Sequence, residues 1–111
     1  MALQEKLLGQ ARENSTNAVS VYALPADTTA IIKAVVLCNQ TGSATTFRLF
    51  LDNDGTTYDQ TTALFYDAAL AANETVVITA FMAMSTASGH LAYRSGTANA
   101  VTITVFGAEI T

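Results

Sequence analysis

The stretch Thr29–Asn39, TAIIKAVVLCN, decides the fold. Ile31, Ile32, Val35 and Val36 are β-branched, and such side chains fit a pleated strand better than a helix. Turn formers bound it on both sides, with Pro25-Ala26-Asp27 before it and QTGSA at residues 40–44 after it. Strict alternation puts Ile32, Ala34, Val36 and Cys38 on one face and Ile31, Lys33, Val35 and Leu37 on the other. Both faces are then apolar, whereas a sandwich strand ordinarily turns one polar face to water. The outer face is therefore expected to be covered, by the N-terminal segment or by another subunit. Lys33 is expected to pair with Glu109 or Glu74, or to reach past the sheet's edge into water.

The same reading extends along the chain. Val19 and Val21 alternate with polar neighbours, and TTFRLFLD (residues 45–52) places Phe47, Leu49 and Leu51 opposite Arg48, Phe50 and Asp52. Short strands follow at residues 64–66, 75–82, 90–94 and 101–106, while DAALAAN (residues 67–73) reads either as helix or as connection. The turns recur about every 8 to 12 residues, the pattern of an all-β domain. The fold expected is a single antiparallel β-sandwich, jelly-roll or Ig-like, of about seven to eight short strands over residues 16–111. Residues 1–15 hold Leu3, Leu7 and Leu8 at near-helical spacing among Glu5, Lys6, Arg12 and Glu13. They are expected to form a short helix or an extended arm able to dock on a neighbour.

Composition narrows the function. The 111 residues are 50% hydrophobic and only 13% charged, with a formal net charge of −4. Neutral, apolar-leaning surface suits subunit interfaces, where charges are costly to desolvate. The five basic residues are scattered, so no stripe exists to neutralise phosphates or an anionic membrane surface. Neither nucleic acid nor membrane is expected as a partner, and no secretory signal is read at the N-terminus. Cys38 is the sole cysteine and His90 the sole histidine. Cys38 sits in an apolar strand pattern, and the serines before His90 occupy no nucleophile elbow. Asp52, Asn53, Asp54 and Gly55 resemble an oxygen-rich calcium loop but lack its spacing; a β-turn is the simpler reading. No enzyme activity and no cofactor are expected. Tyr58, Tyr66 and Tyr93 could supply stacking platforms if the end loops held a glycan.

Two stretches carry a resemblance: LGQAR (residues 8–12) with VYALPADTTAIIKAVVLCNQTGSATTFRLFL (21–51), and NAVTITVFGAEI (99–110). Together they resemble small structural proteins of tailed bacteriophages, in which a Tyr-x-x-Pro turn opens a strand ending in a Cys-Asn pair and the last strand ends in a Phe-Gly-x-Glu tail. Tyr22, Pro25, Cys38, Asn39, Gly107 and Glu109 match that pattern. The resemblance implies a β-sandwich virion protein assembled in the host cytoplasm. It points first to a head decoration or cement protein that binds the major capsid protein as a homo-oligomer, a trimer by preference. A tail, collar or baseplate component, or a carbohydrate- or receptor-binding module, are the alternatives. The resemblance carries no site residue, and its matching positions read as fold-determining; the apolar patterning alone gives the expected subunit interface, Leu3, Leu7, Leu8, Ile31, Lys33, Val35 and Leu37.

Overall fold

The computed structural model describes residues 2–53, 55, 57–79, 81–85 and 88–111. Among them lie nine strands and no helix: β1 (Leu3–Arg12), β2 (Val19–Ala23), β3 (Thr29–Asn39), β4 (Thr45–Asp52), β5 (Ala63–Leu70), β6 (Thr75–Ile78), β7 (Met82–Met84), β8 (His90–Ser95) and β9 (Val101–Ile110). They form two antiparallel sheets. Sheet I runs β1-β9-β3-β6, with β7 continuing along the same edge of β3; sheet II runs β2-β8-β4-β5.

The pairing is nested. The β4/β5 hairpin lies inside β3 with β6 and β7, then β2 with β8, and finally β1 with β9. Pairs β3/β9 and β4/β8 close this folded ribbon into two sheets. That connectivity is the jelly roll, so it resolves the choice that the sequence left open against the Ig-like order. β6 and β7 share one strand position, which reconciles nine segments with eight places.

Between the sheets lies a core of Ile32, Val35 and Leu37 from β3, Leu49 from β4, Leu91 and Tyr93 from β8, and Val101, Ile103 and Val105 from β9, all fully buried. Burying one such aliphatic side chain stabilises the fold by about 1.5–3 kcal/mol. Tyr93 also locks the chain: its hydroxyl accepts the Glu13 N–H at 2.8 Å and donates to the Val101 carbonyl at 3.1 Å. Asn39 ties the turns at one end of the sandwich. Its Nδ2 donates to the carbonyls of Ser43 and Ala71 at 2.9 and 3.0 Å, and its Oδ1 accepts from the Thr41 N–H at 3.0 Å.

Three expectations are corrected. Residues 3–12 are neither a helix nor a free arm but the edge strand β1, paired with β9 from Leu3 opposite Ile110 to Arg12 opposite Thr102. β1 lies beside β9 in the same sheet and so does not cover the outer face of β3. Second, the ambiguous 67–70 continues β5, because Asp67 takes a left-handed φ of 53° at a bulge opposite Arg48 and the strand resumes beyond it. Third, the two faces of β3 are not those of strict alternation. Ile32 pairs with Gly107 and Ala34 with Phe106, leaving Lys33 as the extra residue of a bulge. The parity inverts there, so Ala30 and Ile32 point inward before it and Val35, Leu37 and Asn39 point inward after it.

Candidate interaction surface

The outward side of sheet I is built from the residues that the core does not use. Cross-strand register places them in rows. Leu3 stands beside Ile110 and Thr29; Glu5 beside Ala108, Ile31 and Ala83; Leu7 beside Phe106 and Ala34. Below these, Gln10 adjoins Thr104, Val36 and Val77, and Arg12 adjoins Thr102, Cys38 and Thr75. Leu3, Leu7, Val77 and Phe106 are 63, 48, 58 and 42% exposed, and Phe81, in the connection between β6 and β7 at the margin of this sheet, is 80% exposed. At roughly 200 Å² for a fully exposed large side chain, these five present on the order of 600 Å² of apolar surface. That total matches the roughly 300–600 Å² apolar patch of an ordinary monomer, but it is divided between Leu3 and Leu7 on the β1 edge, Phe106 in the middle and Val77 and Phe81 at the other edge, with Glu5, Lys33, Gln10 and Thr104 among them.

Two of the three charges on this face pair with one another, and the third, Arg12, lies at its end. Lys33 Nζ donates to Glu5 Oε1 at 2.8 Å, across from β3 to β1, and the bond holds the Glu5 carboxyl below its ordinary pKa. Both partners are solvated, so the pair contributes little stability. Lys33 thus meets neither Glu109 nor Glu74. Glu109 points the other way, into the end of the core, where Tyr22 Oη of sheet II donates to it at 2.5 Å and Lys6 Nζ approaches at 2.6 Å. The hydrogen bonds from Lys6 and Tyr22 draw the Glu109 carboxyl below the usual carboxylate range. Burial, with the bond to Glu109 second, raises the Tyr22 phenol far above its ordinary value.

Of the interface residues expected from the sequence, Leu3, Leu7 and Lys33 lie exposed on this face, and Ile31 lies on it half-buried. Val35 and Leu37 do not: the bulge at Lys33 turns both into the core, where neither is exposed. Leu8 also turns inward. It is the extra residue of a bulge in β1 between Leu7 and Gly9, and it packs against the core cluster. Sequence reasoning missed Phe106 and Val77. The signal was present in VTITVF, where strict alternation sets Phe106 on the side of Thr102 and Thr104, opposite the buried Val101, Ile103 and Val105.

Sheet II carries the other polar clusters. On its outer side Ser20 Oγ lies 2.8 Å from His90 Nδ1, and His90 is the register partner of Asp52, a pairing not foreseen from the residue pattern. Phe50 and Tyr58 pack over this spot with ring centroids 6.1 Å apart, and Tyr58 meets the His90 ring edge-on at 6.4 Å. Phe50 and Ala92 are buried there, so Tyr58 helps close a second small core on the outside of the sheet. Asp52 accepts the Thr57 N–H at 2.5 Å, as a turn-closing carboxylate does. Asp54 lies outside the described residues, and among those described no three acidic, His or Cys side chains gather as a metal site. Further along, Arg48 makes a bidentate pair with Asp67 at 2.6 and 3.0 Å and stacks its guanidinium 3.9 Å above the Tyr66 ring. Of the three tyrosines considered as glycan platforms, Tyr93 is buried, Tyr58 faces Phe50 and His90, and Tyr66 is capped by Arg48. Among the described residues no cavity opens in the surface.

Comparison of the chain with protein-family models and with curated proteins finds no match to either.

Proposed function

We propose that this chain is a structural subunit that acts by permanent assembly, and that the particle it builds is the virion of a tailed phage. Head decoration, bound to the major capsid protein as a homo-oligomer, is the first placement; tail, collar or baseplate is the second. The observation that carries the assembling half is the apolar outer face of sheet I, left uncovered by the chain's own N-terminal strand. Such a face is costly in water and is stabilised when another surface covers it. The low charge of 13% fits the same role.

The virion half rests on the resemblance of LGQAR, VYALPADTTAIIKAVVLCNQTGSATTFRLFL and NAVTITVFGAEI to phage structural proteins. Four of the residues that carry it have structural work here: Tyr22 and Glu109 bond across the sheets, Asn39 ties the turns, and Gly107 admits the neighbouring backbone of Ile31. Jelly rolls occur in viral capsid, lectin and cupin domains alike, so the fold accommodates this reading without selecting it. Of the three candidate tyrosines Tyr93 is buried and Tyr58 packs on Phe50 and His90, so the glycan-binding alternative rests on Tyr66, which is 41% exposed with Arg48 over one face of its ring.

The test is mass spectrometry of gradient-purified particles from the phage or induced prophage that encodes the chain. The chain is expected in many copies per particle, and its absence from particles overturns the reading. Truncation of residues 1–12 is no test of attachment, because it removes β1 from the sheet.

A further inference from the structure

We infer that the outer face of sheet I packs against the same face of a second copy of this chain, related by a two-fold axis. The inference rests on the reading of the chain as an assembling subunit and names the first partner of its apolar face.

Area is the first ground. About 600 Å² of exposed apolar side chain, together with the threonines and glutamine between them, approaches the roughly 800 Å² that each partner gives to a standard interface. Charge is the second. The formal net charge is −4, so a contact between most other surfaces of two copies sets acid against acid. On this face Glu5 and Lys33 neutralise one another, and the remaining charge, Arg12, stands at the far end of β1, where its Nε donates to the Asn99 carbonyl at 3.4 Å, so the middle of the face carries no net charge to repel a second copy. Relief is the third. Large side chains at Leu7, Phe106 and Val77 stand among small ones at Ala34 and Ala83, so the ridges of one copy have hollows to enter on the other. Two pleated faces of this kind pack about 10 Å apart, as the two sheets do within the fold. A contact that uses the same patch on both copies closes at two and does not propagate.

Cys38 supplies the readout, since it is the sole cysteine and lies in this face between Thr102 and Thr75. The experiment combines light scattering over a micromolar concentration series with the rate at which Cys38 reacts with an aromatic disulfide reagent. The unaltered chain is expected at twice the chain mass. Phe106→Lys and Val77→Lys, on different strands, are each expected to run as monomers with an unchanged far-ultraviolet spectrum and to label at least about tenfold faster. Leu64→Lys, on the exposed side of sheet II, is expected to remain a dimer; two lysine variants are used so that one can carry the test if the other fails to fold. A wild-type monomer overturns the inference, as does a dimer whose mass and labelling rate neither variant changes, or a trimer. A monomer that is nonetheless found in purified virions leaves the assembly reading standing and assigns the face to another virion protein.

Discussion

Glu109 carries a carboxylate into the end of the core, and its two donors decide whether that is tolerable. A buried charge is costly unless it is paired and hydrogen-bonded, and here Tyr22 and Lys6 do both, one from each sheet. Tyr22→Phe keeps the ring and removes the donor. It is expected to cost about 1–2 kcal/mol at pH 7, the range for a hydrogen bond to a charged group partly reached by water, measured as a lower urea midpoint with an unchanged m value. The linkage has a definite sign. Because the folded-state pKa of Glu109 is depressed below 4.5, the carboxylate's stabilisation is present above that pH and is lost as the pH falls through the folded value. Glu5, Asp59 and Asp67 shift in the same direction but sit in solvent. Glu109→Gln is therefore expected to flatten the fall in urea midpoint between pH 5 and pH 3, and an unaltered fall would assign acid sensitivity to the other carboxylates. The residues of this cluster were legible in the sequence, but their partnership was not. Read from the sequence, Lys33 either pairs with Glu109 or Glu74 or reaches into water, and only the three-dimensional meeting of β1, β2 and β9 gives Glu109 to Lys6 and Tyr22.

At the scale of the strand, existence and type were legible while facing was not. TAIIKAVVLCN, TTFRLFLD and VTITVF each announce a strand through β-branched and aromatic content, and each forms one. What no single strand reveals is a bulge, because a bulge is a property of two strands in register. On either side of Phe106 of β9 both neighbours bulge, β1 at Leu8 between the partners Phe106 and Val105 and β3 at Lys33 between the partners Gly107 and Phe106, and these extra residues turn Leu8, Val35 and Leu37 inward. Gly107 is the site where this double distortion closes most tightly. A Cβ added there would overlap the Ile31 carbonyl oxygen and meet Leu8 Cδ1 at 2.9 Å, and the backbone oxygen cannot step aside as a side chain can. Gly107→Ala is expected to destabilise by roughly 2–4 kcal/mol, in the range of overpacking with backbone displacement, as read by urea denaturation. Gly42→Ala, where an added Cβ meets nothing within 4 Å, is the matched control and is expected to lie within about 0.5 kcal/mol of wild type. Equal effects at the two positions would show that close approach at Gly107 is not what the bulges require.

The whole molecule is one ribbon whose outermost pair joins the two ends of the chain. Leu3 pairs with Ile110, and beyond them Ala2 and Thr111 exchange both backbone hydrogen bonds at 2.9 Å. This pairing separates contacting residues by nearly the full length of the chain, so its loop-closure entropy is the largest in the fold. It also explains why the N-terminal strand escaped sequence analysis: β1 is mostly exposed, its leucines fall at spacings that suit a helix as well, and β9, the strand that specifies it, lies at the far end of the sequence. The geometry suggests a rearrangement that leaves every contact in place. Joining Thr111 to Ala2 through a short Gly/Ser linker and opening the chain between Asn14 and Ser15, in the segment between β1 and β2, makes β1 the final strand, in a local hairpin with β9. The sheet order, core and bulges are unchanged, while the longest-range pairing becomes the shortest. Folding rates rise as contacts become local, so the permutant is expected to refold at least several-fold faster than the parent in stopped-flow experiments. Its equilibrium stability is expected to fall by no more than about 1–2 kcal/mol, mainly through Glu13, whose N–H bonds Tyr93 and which then lies next to the new C-terminus. A permutant that refolds no faster would mean that β1 docks after the rate-limiting step, on a jelly roll already closed by β3 and β9.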